Sequence, residues 1–166
     1  ENESADAGAT APLSFTSHLI TNAFGQFVSG LDMDGDGDTD ILAGGDFGVK
    51  WLENDGSGSF VTLPVSDLPG ITVVSAADID GDNDMDVFAA SETDGLVIWC
   101  ENDGAQAFTD NTITTFDTEN FYAKPLAISP VDMESDGDVD LVYSALTGPS
   151  WGVAKILWFE KMPNSD

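Results

Sequence analysis

The chain of 166 residues carries 31 acidic side chains against four lysines and no arginine, which gives it a formal net charge of −27 at pH 7. This charge argues against nucleic acid as a partner, because the chain has no basic patch that would displace the counterions of phosphate groups. A hydrophobic content of 42% is too high for a disordered acidic tail, and the length allows one domain with its own core. No apolar run reaches the ~18 residues of a membrane-spanning helix, so membrane insertion is not expected.

The first segment, residues 1–13, is small and polar without periodicity, and we predict a flexible leader or linker. It starts at Glu1 and carries no apolar leader, which is typical of a processed mature protein or of an excerpt from a longer one. The next segment, SFTSHLI at 14–20, is predicted to be a strand. It resembles the strand that begins near Phe60, which is the fourth strand of its repeat. Strands one to three of a repeat do not precede residues 14–20.

The rest of the chain repeats a pattern of short strands and turns, without an amphipathic helix of useful length. Each repeat contains an acidic nonapeptide: DMDGDGDTD at 32–40, DIDGDNDMD at 78–86 and DMESDGDVD at 132–140. Strand one is expected before this loop and strand two after it, while strand three ends at the motif W-x-E. In the first two repeats an Asn-Asp-Gly turn then leads into strand four.

Four strands in about 45–50 residues is the period and content of a β-propeller blade. We therefore predict an all-β, propeller-type fold with three four-stranded blades across residues 14–166. The third repeat ends at strand three, because residues 162–166 are too short and polar for a fourth strand. The strand predicted at 14–20 would be the missing strand four, located at the opposite end of the chain.

Three blades are too few for a closed ring, since propellers typically have about 4–8. Two chains arranged head to tail, each exchanging its terminal strand with the other, would complete a ring of six blades as a homodimer. The alternative is that the chain is a fragment of a larger propeller. A second copy, or another protein that completes the propeller, is thus the predicted partner.

The acidic loops predict the cofactor. Carboxylates at every second position repel one another strongly unless a cation lies among them. Several charged oxygen ligands at close spacing suit a hard divalent cation, above all Ca²⁺. We predict three calcium ions, one per repeat, whose main role is to staple each blade together.

The spacing D-x-D-x-D-G-D-x-D immediately before a strand resembles the FG-GAP/VCBS repeat family, which includes the calcium loops of integrin-type propellers. The resemblance covers residues 14–160 and implies that each loop binds calcium through four side chains and one main-chain carbonyl. The implied side-chain ligands are Asp32, Asp34, Asp36 and Asp40, then Asp78, Asp80, Asp82 and Asp86, and finally Asp132, Glu134, Asp136 and Asp140. The implied carbonyl ligands are those of Asp38, Asp84 and Asp138.

Two positions in these loops depart from the family pattern. Asn83 takes the place of the turn glycine that the first loop has at Gly37, and asparagine enters the left-handed region more readily than most residues. Glu134 replaces an aspartate, although its longer arm can still reach a metal.

The EF-hand is the competing calcium motif, and it requires a bidentate glutamate at its twelfth position together with flanking helices. This chain has Ala43, Ala89 and Tyr143 at that position, and its flanks are predicted strands, so we reject the EF-hand.

Few residues suit catalysis, and we predict that the chain is not an enzyme. His18 is the only histidine, and a surface or dimer-interface role suits it better than catalysis. No Ser-His or Cys-His pair with an orienting partner can be argued, and phosphoryl transfer would lack an arginine. Glu53 and Glu101 can be considered as a glycosidase carboxylate pair, but their repeated place in W-x-E-N-D-G favours a role in stabilising turns.

The aromatic residues are candidates for packing or for ligand contact. Three hold matching places in the repeats: Trp51, Trp99 and Trp158. They are predicted to pack between blades, and the alternative is a stacking surface for sugar. Cys100 aligns with Leu52 and Phe159 and is predicted to fill an apolar packing position. Off the repeat register, the candidates for a ligand or partner contact are Trp151, Phe121 and Tyr122.

The resemblance implies adhesion, glycan binding or service as a subunit of a complex. We predict a non-enzymatic, calcium-stabilised module for protein–protein assembly or adhesion, and the alternative is a lectin-like glycan-binding module or an accessory domain of a carbohydrate-active enzyme. Calcium loops of low affinity require calcium near the millimolar range, which indicates an extracellular, periplasmic or other calcium-rich location.

Overall fold

The computed structural model describes residues 13–22, 24–116, 124–148 and 152–162, which form eleven β-strands. The first repeat contains β1 (Phe27–Leu31), β2 (Asp40–Gly45), β3 (Gly48–Asn54) and β4 (Phe60–Ser66). The second contains β5 (Ile71–Ala77), β6 (Asp86–Ser91), β7 (Leu96–Asn102) and β8 (Phe108–Thr115). The third contains β9 (Lys124–Val131), β10 (Asp140–Thr147) and β11 (Val153–Phe159).

Each repeat folds into its own antiparallel sheet, in which strands consecutive in sequence are neighbours in space. The strand orders are β1-β2-β3-β4, β5-β6-β7-β8 and β9-β10-β11, and we call these sheets blades 1, 2 and 3. Every acidic loop connects the first strand of a blade to the second. This organisation confirms the predicted all-β, propeller-type fold class.

The second strand of each blade lies deepest, and its small residues allow neighbouring sheets to approach. All six residues of β6, DVFAAS, are buried. In β2, a Cβ on Gly44 would collide with the side chains of Ile71 and Val74 on β5. A side chain at this position would therefore push blades 1 and 2 apart.

The core consists of two clusters, one in each space between neighbouring blades. The cluster between blades 1 and 2 includes Leu42, Val49, Trp51, Val87, Ala89, Ile98 and Cys100. The cluster between blades 2 and 3 includes Phe88, Val97, Ile128, Leu141, Tyr143 and Ala145, with Trp99 and Phe159 packed against it. Successive residues of a strand point to opposite faces, so each middle strand contributes to both spaces.

The segment predicted as a strand at 14–20 forms no strand in the single chain. Residues 13–21 lie outside any strand, and Phe15 and Leu19 are 95% and 81% exposed. A strand requires a partner edge for its backbone hydrogen bonds, and this segment meets none among the described residues. Accordingly, blade 3 has three strands in the described part of the chain. Most of the predicted leader, together with Phe121, Tyr122 and Trp151, lies outside the described residues.

Candidate metal centres

The first acidic loop wraps around its own carboxylates. Asp32 accepts hydrogen bonds from the main-chain N–H of Gly35 at 2.8 Å and of Gly37 at 3.0 Å. Both glycines have positive φ angles, of 75° and 93°, which turn the chain tightly enough for these bonds. Asp36 accepts a bond from the N–H of Asp38 at 2.8 Å. The second loop repeats these contacts, with Asn83 at a φ of 76° in the place of the second glycine.

The last aspartate of each loop joins three segments of its blade. Asp40 is fully buried and accepts bonds from the N–H of Met33 at 3.1 Å and of Asn54 at 2.7 Å. Asp86 makes the equivalent bonds to Ile79 and Asn102. Burial raises the pKa of Asp86, although the N–H groups that it accepts oppose this shift. The ninth residue thus ties the start of the loop and the end of strand three to the start of strand two.

Three carboxylates converge in each of the first two loops. Oxygen atoms of Asp32, Asp34 and Asp40 all lie within 4.8 Å of one another, as do those of Asp78, Asp80 and Asp86. Burial, and then the neighbouring carboxylates, raise the pKa of both Asp34 and Asp80. Within the described ranges, lysines form ion pairs with Asp67 and Asp138 but with no acid of these two loops. Each triplet is therefore an oxygen-only site of strong negative charge that can hold a metal ion.

Other predicted ligands have different surroundings. Asp36 and Asp82 lie outside the converging triplets. The carboxylate of Asp36 accepts the N–H of Asp38, and that of Asp82 accepts the N–H of Asp84. The side chain of Asp38 lies against Gly56 in the turn after β3, where a Cβ would collide with it. Asp84 and Gly104 repeat this relationship. A side chain at the glycine of each Asn-Asp-Gly turn would therefore displace the loop carboxylate beside it, a relationship that the sequence pattern did not show.

The third loop differs from the other two. Asp132 and Asp140 keep their backbone bonds, but no converging triplet of carboxylates was found here among the described residues. Partial desolvation by the surrounding groups, and then the charges of Glu160 and Asp140, raise the pKa of Glu134 to about 7, although this residue is exposed. The N–H of Lys161, which Asp140 accepts at 2.9 Å, is the main cause of a lowered pKa at Asp140.

Lys161, which follows β11, contacts the third loop, and sequence reasoning did not identify it. Its Nζ lies 2.9 Å from the carboxylate of Asp138 and 2.8 Å from the carbonyl oxygen of Ile79 in the second loop. It occupies the position of Asn54 and Asn102 in the earlier repeats. This replacement of asparagine by lysine was the signal available in the sequence. Blade 3 is therefore connected to the loop of blade 2 by a lysine side chain.

These loops and strands match a known family. The profile of a family described as an FG-GAP-like repeat matches residues 32–89 and 78–143, which together cover more than half of the chain. The chain belongs to the FG-GAP-like repeat family. Each match begins at an acidic loop and ends in the second strand of the following blade, so it includes the joint between two blades.

Among solved structures, this FG-GAP-like protein is similar to a lectin of Agrocybe aegerita reported to recognise non-reducing terminal N-acetylglucosamine specifically. The two share 16% identity over 79% of this chain and 37% of the lectin, with a TM-score of 0.51. Such a low identity shows a common fold alone, and the chain spans well under half of the lectin's length. No curated protein matches the chain. No helix in the described ranges has the length and hydropathy needed to cross a membrane.

The turns of this FG-GAP-like protein correct one sequence interpretation. Asn54 Nδ2 donates to the carbonyl oxygen of Thr39 at 3.1 Å, and Asp55 accepts bonds from Ser57 and Ser59. The turn-stabilising role expected of Glu53 therefore belongs to the Asn-Asp pair that follows it. Its counterpart Glu101 instead accepts a bond from Asn111 on β8 at 3.4 Å.

The tryptophans and Cys100 take the positions expected for packing. Trp51 is 1% exposed between blades 1 and 2, and Trp99 packs against the cluster between blades 2 and 3. Cys100 is fully buried, and burial raises the pKa of its thiol well above the usual range. Trp158, in contrast, is 47% exposed on blade 3, and His18 is exposed.

Proposed function

We propose that this FG-GAP-like protein is a non-enzymatic propeller module, stabilised by calcium, that serves in protein–protein assembly or adhesion outside the cytosol. The observation that carries the proposal is the convergence of Asp32, Asp34 and Asp40 at the joint between β1 and β2, with its exact repeat in blade 2. A cation at this joint stabilises the blade itself, because Asp40 also holds the end of β3.

Calcium is the ion that the donor set suits best. The candidate ligands are all oxygens, most of them charged, and up to four of them come from one short loop, which suits the irregular oxygen coordination of calcium better than a rigid octahedral cage. The residues that would hold it are the acids at the first, third, fifth and ninth positions of each loop. The ion would neutralise their mutual repulsion, and three ions would change the formal net charge from −27 to −21. The third ion would have Glu134 as a ligand, in competition with the charge already provided by Lys161.

Surface chemistry supports a role in assembly. Large apolar side chains are exposed at both ends of the described structure: Leu13, Phe15 and Leu19 near the N-terminal end, and Val153, Ile156 and Trp158 on the last strand. Exposed apolar groups gathered at two places indicate interaction surfaces, whereas single ones are ordinary. The calcium requirement supports a location where calcium is near millimolar.

Thermal unfolding with calcium, with magnesium and with chelator tests the calcium role. We expect the melting temperature of the chain to rise with calcium concentration, because an ion that binds the folded state alone stabilises it by mass action. Magnesium should have a smaller effect, since it prefers an octahedral site and keeps its waters. An unchanged melting temperature after chelation would refute calcium stabilisation.

Glycan binding is the second candidate, as a lectin-like module or as an accessory domain of a carbohydrate-active enzyme. The observation that favours it is the exposed indole of Trp158, together with the fold shared with the Agrocybe aegerita lectin. The tryptophans at the two matching positions are packed between blades, so they cannot form a repeated stacking surface with it. Titration with N-acetylglucosamine and with a panel of other sugars, followed by tryptophan fluorescence, would show saturable binding if this alternative holds.

A further inference from the structure

The exposed face of blade 3 corresponds to faces that are buried in the other blades. The forward face of a blade, which packs on the next one, carries Val49 and Trp51 in blade 1, exposed by 0% and 1%. In blade 2 the same positions are Val97 and Trp99, packed against blade 3. In blade 3 they are Ile156 and Trp158, exposed by 78% and 47%. Blade 3 therefore has the apolar forward face of a blade that is followed by another.

Blade 3 also has a free edge. In blades 1 and 2 the third strand pairs with the second strand on one side and the fourth on the other. Across the described ranges, β11 pairs with β10 alone. Its other edge thus exposes backbone donors and acceptors that a further strand can satisfy.

The space between blades 1 and 2 contains an aromatic side chain that has no counterpart between blades 2 and 3 among the described residues. Phe108, the first residue of strand four in blade 2, packs into the cluster between blades 1 and 2. The equivalent position between blades 2 and 3 is a largely apolar cavity of about 240 Å³, lined among others by Phe88, Trp99, Leu141 and Met162. A phenylalanine at the start of a fourth strand of blade 3 would enter this cavity.

We propose that residues 14–20 of a second copy of this chain pair with β11 as the fourth strand of blade 3. This inference rests on the proposed role in assembly and identifies its partner. In SFTSHLI the phenylalanine, Phe15, stands where Phe60 and Phe108 begin their strands. Phe15 is 95% exposed in the single chain, so no described residue of its own chain covers it.

The register follows from the other two blades. Asn54 pairs with Phe60 and Asn102 pairs with Phe108. By the same register, Phe15 of the second copy lies opposite Lys161, which holds the position of those asparagines. Thr16 then lies opposite Glu160, and His18 lies opposite Trp158. The only histidine thus pairs with the exposed tryptophan across the interface.

The connection after residues 14–20 has a suitable length to lead into the next blade. Six residues, 21–26, separate the segment from β1, compared with the four residues that separate β4 from β5. Blade 1 of the second copy therefore follows blade 3 of the first as the next blade. The backward face of that blade, on which Val28 is 70% exposed and Ile41 is half-buried, then meets the forward face of Trp158. Repetition of this contact by a two-fold axis closes a ring of six blades.

Analytical ultracentrifugation of the whole chain in calcium tests the partner. We expect a particle of twice the chain mass of 17.5 kDa. Phe15→Ala should raise the dimer dissociation constant by a factor of at least about 100, since two buried phenylalanines are lost per ring. Phe47→Ala removes another exposed phenylalanine, 73% exposed in the turn after β2, and should leave the constant unchanged. A monomer in calcium, or equal effects of both changes, would overturn the proposal.

Cross-linking tests the register and the origin of the strand. Thr16→Cys and Glu160→Cys chains, prepared separately and mixed with oxidised glutathione, should form a disulfide-linked heterodimer, because directly opposed residues have suitable Cα distances. Ser17→Cys with Glu160→Cys, shifted by one residue, should cross-link at least tenfold more slowly. A disulfide within single chains of the double variant, with none between mixed chains, would overturn the second copy as occupant. A monomer whose melting temperature still rises with calcium would refute this inference and leave the calcium role intact.

Discussion

Asp40 Oδ1 accepts a hydrogen bond of 2.7 Å from the main-chain N–H of Asn54, which connects the end of the first acidic loop to the end of β3. Asp86 and Asn102 repeat this contact at 2.8 Å. In blade 3 the donor is Lys161, at 2.9 Å from Asp140. The carboxylate that closes each loop therefore also holds the hairpin beside it, so that the loop is part of the blade's hydrogen-bonded framework.

Removal of the Asp40 carboxylate should destabilise the chain even without metal. Asp40→Ala leaves one buried and one partly buried N–H group without an acceptor, at a cost of about 1–3 kcal/mol for a buried group. We expect a decrease of that order in the free energy of unfolding, measured by urea denaturation in chelator. Asp94→Ala, at an exposed site between β6 and β7, is the matched control and should change stability by less than ~0.5 kcal/mol. Equal effects of the two changes would contradict the anchoring role.

A comparison of alanine substitutions at Gly56 and Gly58 distinguishes the effect of backbone strain from the effect of a collision with the acidic loop. Both have positive φ angles, of 72° and 85°, so alanine is strained at either position. A Cβ at Gly56 also collides with the carboxylate of Asp38, whereas one at Gly58 meets nothing within 4 Å. We expect Gly56→Ala to lower the free energy of unfolding by more than Gly58→Ala does, because the Asp38 carboxylate must move as well. It should also weaken calcium binding in titration calorimetry, and similar values for both variants would show that strain alone matters.

Tyr143 offers a change that should stabilise the chain. Its ring stacks on Phe116 at 5.2 Å, but its hydroxyl is buried without a hydrogen-bond partner in the described structure. Burial raises the pKa of Tyr143 to about 12, so this hydroxyl stays neutral under ordinary conditions. Tyr143→Phe removes an unsatisfied polar group and should raise the free energy of unfolding by about 1 kcal/mol.

The control for that change is Tyr143→Leu, which also removes the ring stacking and should lower the free energy of unfolding. Destabilisation by Tyr143→Phe would indicate that the hydroxyl has a partner.

Cys100 should report on the joint between blades 1 and 2. The thiolate is the reactive form, and burial raises the thiol pKa, so folded protein in calcium should react with iodoacetamide at least 100-fold more slowly than unfolded protein. If the metal stabilises the blades, chelation should accelerate the reaction. Mass spectrometry of samples quenched over time measures both rates. Rapid modification in calcium would contradict the buried position of this residue.

Lys161 should contribute to the contact between blades 2 and 3. Lys161→Met keeps the apolar stem but removes the Nζ contacts with Asp138 and the Ile79 carbonyl. We expect a loss of about 1 kcal/mol in the free energy of unfolding, since this partly exposed ion pair also satisfies a carbonyl. Lys155→Met, at an exposed position on β11, is the control and should be neutral. A difference that persists in 1 M salt would indicate that the carbonyl bond dominates.

Much of the fold was predictable because the information is local and repeated. Three acidic loops in the same context located the joints between strands one and two, and the repeated turn residues located the limits of the short strands. In the first two loops the carboxylates at positions one, three and nine converge, whereas Asp36 and Asp82 lie outside these triplets, so their role as ligands stays a prediction. The ions themselves stay a prediction, because carboxylate spacing shows where a cation fits and not which ion binds.

The sequence by itself determined the blade unit, since strand periodicity, turn glycines and loop carboxylates act over a few residues. Only the tertiary structure decided what each equivalent residue does. Trp51 and Trp158 hold the same repeat position, yet one is buried by a following blade and the other is exposed. Residues 14–20 have the pattern of a strand but form none in the single chain, because a strand exists only when another edge satisfies its backbone. Burial and pairing depend on neighbours distant in sequence, and a local pattern does not contain them.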